Sequence, residues 1–281
     1  MTTQKTISGD CLPILRKMPT DSVDLVFCSP PYEDSRSYSI EFCLYGSAWV
    51  DWCLPRYLEC VRVCRGLVCF VVDAKTRNYQ WSPTPAILMT ELHSRGVKLR
   101  KPPIYHRVGV PGSGGPDWWR NDYELIVCSS KGKLPWSDNT ATGHAPKYPV
   151  GGRMRNRRKD GSRELQTYKL PAKSNPGNVV KCIVGGGVLG SKLAHLNEAP
   201  FPELLVEPFI RSFCPPGGIV LDPFCGSGTT LAVATRLGRS SIGIDLRKDQ
   251  TALTRKRIKE AKDKLRDDER ATTKSNSNSG T

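Results

Sequence analysis

The sequence predicts an α/β protein: an open, mostly parallel β-sheet flanked by helices. Short apolar runs alternate with segments whose apolar residues fall at helical spacing, as the connected strands of a parallel sheet require. Residues 66–72 are apolar throughout, the mark of a strand covered on both faces. Residues 219–245 read as strand, glycine loop, helix, strand and terminal acid. A chain of 281 residues, 38% of them hydrophobic, suffices for one large domain or for one domain carrying an insertion.

In chain order, residues 4–10 predict a strand ending at Gly9-Asp10, and residues 11–18 a short helix with Leu12, Leu15 and Met18 inward. The turn at 19–21 leads into the apolar strand 22–28, which delivers Ser29-Pro30-Pro31-Tyr32. By itself this tetrapeptide is well explained as a strand terminator, since proline fixes φ and lacks an N–H. The Tyr- and Ser-rich stretch 33–45 predicts a loop able to close over a substrate. A helix is expected over 50–64, a strand over 66–72, a helix over 85–94 and strands over 97–104 and 123–129. The last two are separated by a loop, 108–122, that contains Gly-Ser-Gly-Gly and the pair Trp118-Trp119.

The pattern breaks over 131–181, where twelve Lys and Arg face three acids. Lys147, Arg153, Arg155, Arg157, Arg158, Lys159 and Arg163 lie here with Trp136, Tyr148 and Tyr168 among them. Cations interleaved with aromatics suit a DNA or RNA surface; the competing reading is a disordered basic linker, which at this length would be unusual inside a compact domain. The formal charge of +15 likewise points to a polyanionic partner.

Regularity returns with a helix over 201–214, its Leu204, Leu205, Phe209 and Phe213 on one face. The strand 219–221 runs into Asp222-Pro223-Phe224-Cys225-Gly226-Ser227-Gly228-Thr229-Thr230, followed by a helix at 231–237 and a strand at 241–244 ending at Asp245. Gly226 and Gly228 let the backbone turn tightly and approach a ligand, and the helix that follows offers free N–H groups. Asp245 lies where an acid accepts hydrogen bonds from ribose hydroxyls, so the unit binds a nucleoside; a dinucleotide is not excluded, although the third glycine of that fingerprint is missing. A charged helix over 251–271 and an unstructured Ser/Asn/Thr tail over 272–281 close the chain.

Eleven scattered cysteines without a C-x-x-C pair, beside four isolated histidines, fit neither a disulfide framework nor a metal site. They suggest a reducing, cytoplasmic setting. No apolar stretch is long enough to cross a membrane and no signal-peptide pattern opens the chain.

Together, Gly9-Asp10, Ser29 to Tyr32, Tyr123-Glu124-Leu125-Ile126-Val127, 199–204, Asp222 to Thr230 and 242–245 resemble, in their order, the β class of amino-group DNA methyltransferases. The resemblance implies a circularly permuted, Rossmann-like methyltransferase fold with S-adenosylmethionine as cofactor. Residues 1–130 would form the catalytic half, 131–194 an inserted target-recognition region, 195–262 the cofactor half and 263–281 a charged tail. Asp222, Pro223, Phe224, Cys225, Gly226, Ser227, Gly228, Thr229 and Thr230 would hold the methionine part of the cofactor, and Asp245 its ribose. Asp10 would contact the adenine amine, and Phe201 and Pro202 would close the pocket. Ser29 and Pro30 would accept hydrogen bonds from the target amine, Pro31 would stiffen the backbone and Tyr32 would stack on a flipped-out base.

Two departures from the family pattern fall on local loops: three residues separate His195 from Ala199, and His106 stands where a tryptophan is common. Serine at the first motif position implies cytosine-N4 as the target, with adenine-N6 the alternative; an RNA methyltransferase and a non-catalytic DNA-binding protein are the further readings. The implied partner is double-stranded DNA, with a cognate restriction endonuclease as a second candidate. Monomer or homodimer, recognition sequence and proton acceptor stay open, Glu33, Asp34 and water being candidates for the last.

Overall fold

The computed structural model describes residues 2–33, 42–110, 114–147, 153–167, 172–184 and 189–278. Its strands are β1 (Gln4–Ser8), β2 (Val23–Cys28), β3 (Cys64–Val72), β4 (Thr76–Arg77), β5 (Gln80–Trp81), β6 (Leu99–Arg100), β7 (Ile104–Val108), β8 (Tyr123–Ser129), β9 (Arg153–Arg157), β10 (Arg163–Thr167), β11 (Val179–Ile183), β12 (Ile219–Asp222) and β13 (Ser240–Asp245). The helices are α1 (Cys11–Lys17), α2 (Ser47–Val63), α3 (Thr84–Ser94), α4 (Glu203–Phe213), α5 (Thr229–Arg236) and α6 (Lys248–Asn278).

Nine strands form one sheet in the order β1-β13-β12-β2-β3-β8-β7-β11, with β6 also on β8. Every strand runs the same way except β8, which is antiparallel to β3, β6 and β7. This is the mostly parallel, helix-flanked sheet that the sequence predicts. Its central strands are apolar throughout because helices cover both faces; all of Val23–Cys28 is buried. On one side Trp49, Tyr57, Leu88 and Leu92 of α2 and α3 pack on Val26, Val68 and Phe70. On the other, Leu205, Phe209 and Ile210 of α4 pack on Leu25, Phe27 and Val71.

Where the structure departs from expectation, local chemistry gives the reason. The single strand expected over 97–104 is two pieces, β6 and β7, because Pro102 and Pro103 supply no N–H to a ladder. The expected tail over 272–281 is helical as far as Asn278: once α6 is nucleated, each added residue gains a hydrogen bond without a new nucleation cost. The basic stretch contains a two-stranded ribbon, β9–β10, and contributes the edge strand β11 to the main sheet. Residues 34–41 of the expected closing loop, 112 and 113 of the glycine run, and Tyr148 and Tyr168 lie outside the described residues. Cys28, Cys64, Cys69 and Cys128 are buried free thiols, small hydrophobes of the core.

Candidate active site

The two stretches that carry the chemistry lie almost two hundred residues apart in sequence and on neighbouring strands in space. Val220 and Leu221 of β12 pair in parallel with Leu25 and Val26 of β2, so the loop after Asp222 and the tetrapeptide after Cys28 leave the sheet side by side. On the other side of β12, Asp222 pairs with Gly243 of β13, and Asp245 at the end of β13 pairs with Ser8 of β1. Asp10, two residues beyond Ser8, therefore sits at the same edge. Ligands of open α/β sheets bind at these carboxyl ends.

The glycine loop is shaped by close approaches. Gly226 has φ +47° and a Cβ there would lie 2.2 Å from Asn197 Nδ2; Gly228 has φ +83° and a Cβ would meet Thr254 at 2.8 Å. Asp245 accepts from the amides of Gly226 and Arg247, each at 2.9 Å, which ties the acid to the loop it serves. Asp222 accepts from Phe224 N at 3.0 Å, and burial pushes its carboxyl up to about 7. Burial also raises the Asp245 carboxyl. Phe224 lies against Trp52 and Phe70, with ring centroids 5.7 and 6.1 Å apart. Phe201 packs edge-on against Phe27 at 5.9 Å, and its carbonyl accepts from Thr229 Oγ1 at 3.4 Å, so the stretch expected to close the pocket does border the loop. Pro202 is buried beside it.

Asp10 is engaged within the chain. It caps α1 by accepting from Leu12 N at 3.1 Å, and both of its oxygens meet Arg56 Nη2, at 3.0 and 3.1 Å. Arg56 in turn lies 4.3 Å above the Trp52 ring.

Behind the tetrapeptide lies a polar chain that sequence reasoning did not single out. The Tyr32 hydroxyl donates to Glu124 Oε2 at 2.5 Å, and Ser29 hydrogen-bonds to the Tyr32 hydroxyl. Arg107 Nη1 meets Glu124 Oε1 at 3.1 Å and its Nη2 lies 3.7 Å from Asp73. Burial pushes the Glu124 carboxyl up to about 7, against the opposing pull of Tyr32 and Arg107. The only signal in the sequence is an acid inside an apolar strand, Tyr123-Glu124-Leu125-Ile126-Val127. The Pro31 carbonyl accepts from the buried Trp49 Nε1 at 2.7 Å, which pins the second proline. Glu33 is buried and accepts from Gly46 N at 3.0 Å and Lys75 N at 3.3 Å, so it latches two chain segments together. Asp34 lies outside the described residues.

A second buried cation was also missed. Arg257 of α6 donates to Thr229 Oγ1 at 2.7 Å, Ser227 Oγ at 3.2 Å and Glu203 Oε1 at 2.9 Å. It fastens the long helix to the glycine loop and to the start of α4.

Away from the sheet edge, the basic ribbon has a defined face. The register sets Arg157 opposite Arg163, Arg155 opposite Leu165 and Arg153 opposite Thr167. Side chains alternate along a strand, so Arg153, Arg155, Arg157 and Arg163 share one side. The other side carries Asn156, bonded to Gln166 at 2.9 Å, and Glu164. Arg158, at the turn, pairs with Glu164 at 2.9 Å, while Lys147 and Lys159 are exposed.

Such a site, with a nucleoside-type loop and an S-P-P-Y edge on adjacent strands of a permuted Rossmann-like sheet, defines the amino-group methyltransferase class. The chain matches the model of the N6/N4 DNA methylase family over residues 23–269 and belongs to that family, whose members draw the methyl group from S-adenosylmethionine. It is 29% identical over 266 residues to the DNA adenine methyltransferase YhdJ of Escherichia coli, a match covering 90% of this chain and 81% of that protein. Its fold is similar to that of the PvuII DNA methyltransferase (cytosine-N4-specific), with a TM-score of 0.67 and 21% identity, covering 92% of this chain and 87% of the other. It is also similar to a DNA modification methylase from Thermus thermophilus solved with S-adenosyl-L-methionine, with a TM-score of 0.60 and 22% identity over 92% and 96% of the two chains. No helix among the described residues is long and apolar enough to cross a membrane.

Proposed function

We propose that this protein transfers a methyl group to the N4 amine of a flipped-out cytosine in double-stranded DNA. The observation that carries the reading is the pairing of β12 with β2, which sets the glycine loop beside Ser29-Pro30-Pro31-Tyr32. Serine at the first motif position favours cytosine by the family's pattern, as does the fold shared with a cytosine-N4-specific enzyme; the likeness to an adenine methyltransferase keeps adenine-N6 as the second reading.

The residues present fit S-adenosylmethionine. A ribose diol needs an acid at the loop, and Asp245 is there. A flat adenine needs apolar walls and Phe224 offers one, and two glycines leave room that a Cβ would fill. When bound, the cofactor supplies an electrophilic methyl group for in-line displacement by the amine. The chain's own part is to hold that amine. Ser29 donates to Tyr32 and Tyr32 donates to Glu124, so the hydroxyl proton of Ser29 points away from the reacting atoms. The lone pairs of Ser29 Oγ are thereby left to accept an amine N–H, and the Pro30 carbonyl would take the other. Two acceptors favour a pyramidal nitrogen whose lone pair is aimed at the methyl carbon; positioning and electrostatics supply the rate.

Ser29→Ala is expected to lower turnover by about 10²–10³-fold while leaving cofactor affinity, read by calorimetry, within about twofold. Mass spectrometry of nucleosides from treated DNA identifies the product. Methyladenine without N4-methylcytosine would replace the cytosine assignment; methylation of RNA alone would replace DNA as the substrate.

A further inference from the structure

Beside the tetrapeptide stands a group of exposed aromatic rings that the reaction as described does not use. The β4–β5 hairpin ends in Asn78-Tyr79, both left-handed at φ 47° and 62°, and Tyr79 is 76% exposed. Tight hairpin turns of this kind favour Gly or Asn, so a tyrosine there is held in a strained backbone with its ring in solvent. The Tyr79 ring meets Trp118 edge-to-face with centroids 5.5 Å apart, and the neighbouring Trp119 is 96% exposed. The loop that carries both tryptophans is shaped for them: Gly114 has φ +82°, and a Cβ on Gly115 would lie 2.3 Å from the Trp118 ring.

Both segments are rooted on the catalytic edge. Lys75 N donates to Glu33, the residue after Tyr32, and Ser82 N closes the hairpin base on Lys75 O at 3.0 Å. Asn121 Nδ2 donates to Asp73 at 3.1 Å, and Asp73 lies within reach of Arg107, the partner of Glu124. Arg77, 5.9 Å from the Tyr45 ring, and Arg120 flank the rings with positive charge. Aromatics flanked by cations, on a chain of charge +15, match bases and phosphates better than an apolar protein face.

We propose that Tyr79, Trp118 and Trp119 form a wedge that enters the DNA duplex beside the target and stacks on the bases left when the target nucleotide leaves the helix. The inference rests on the DNA reading above and extends it to the step before methyl transfer. Apolar and aromatic wedges between base steps offset the cost of unstacking. The wedge should therefore matter where the target is paired and stacked, and not where it is already loose.

The test uses the full-length protein and a duplex holding the site found by methylation-sensitive sequencing. It is compared with the same duplex carrying an abasic site opposite the target. Tyr79→Ala, Trp119→Ala and the double variant change exposed side chains only. On the matched duplex the double variant should lose at least about tenfold in single-turnover rate, the worth of one lost base–aromatic stack. The fluorescence rise of 2-aminopurine beside the target should fall in parallel, a readout that needs no turnover. On the abasic duplex the variant should stay within about twofold of wild type. Equal losses on both duplexes, or no loss on the matched one, would overturn the wedge, as would unchanged DNA behaviour with an altered sedimentation coefficient, which would assign the rings to a second copy of the chain. A wild-type protein that methylates neither duplex would overturn the DNA reading, and the wedge with it.

Discussion

Glu124 has almost no water around it, yet it takes a hydrogen bond from Tyr32 and an ion pair from Arg107. A buried acceptor that loses its donor keeps the full desolvation penalty. Tyr32→Phe removes only a hydroxyl, and urea unfolding should show a loss of about 1–3 kcal/mol. Because Ser29 would lose the partner that orients it, turnover should also fall, by up to about 100-fold, with cofactor affinity unchanged. A purely structural tyrosine would lower stability without moving turnover at saturating substrate. The buried carboxyls also set a pH dependence. Asp222 is pushed up from 3.8 to about 7 by burial, so the folded chain holds a proton that the unfolded chain has released. Its contribution to stability is complete below the unfolded value and lost as pH rises through the folded one. Asp222→Asn should therefore flatten the fall in melting temperature between about pH 4 and 7 in the ligand-free protein, measured against wild type in the same buffers.

Among the elements, α6 shows how a charged helix acquires a buried face. Thr251, Leu253, Thr254, Arg257, Ile258 and Ala261 are buried against the glycine loop, α5 and neighbouring strands, while the later turns are exposed. Arg257 is the anchor, and removing it leaves Glu203 with Arg236 alone. Arg257→Met should cost about 3–5 kcal/mol in urea unfolding, the usual result of breaking one side of a buried pair. Since Arg257 also holds Ser227 and Thr229, cofactor affinity should weaken in calorimetry run well below the unfolding midpoint. The β9–β10 ribbon is an element of the opposite kind, exposed on both faces, with its identity in register alone. Neutralising Arg155 and Arg157 together should reduce the slope of log K against log salt by about 2 and weaken all DNA sequences alike. Arg158→Gln should change it less, because Glu164 already offsets that charge. Equal slopes for the two variants would remove the arginine face from the DNA interface.

Across the whole molecule, the sequence determined the class of fold and the chemistry of the site's two halves. Buried strands announce themselves as apolar runs, as at residues 66–72, and a ligand loop needs glycines whose spacing survives in the linear text, as at Gly226 and Gly228. These are local properties, set by what a strand or a tight turn demands of its own residues. Tertiary structure alone decided which distant residues meet. No periodicity reveals that β12 lies against β2, that Glu124 stands behind Tyr32, or that Arg257 reaches Thr229 from α6. Nor does composition distinguish a basic linker from a ribbon with four arginines on one face, because a one-residue slip in register would scatter them over both. The reason is physical: strand order, register and the partners of buried charges are fixed by packing the whole sheet at once, and a linear sequence displays only the part of that packing that falls between near neighbours.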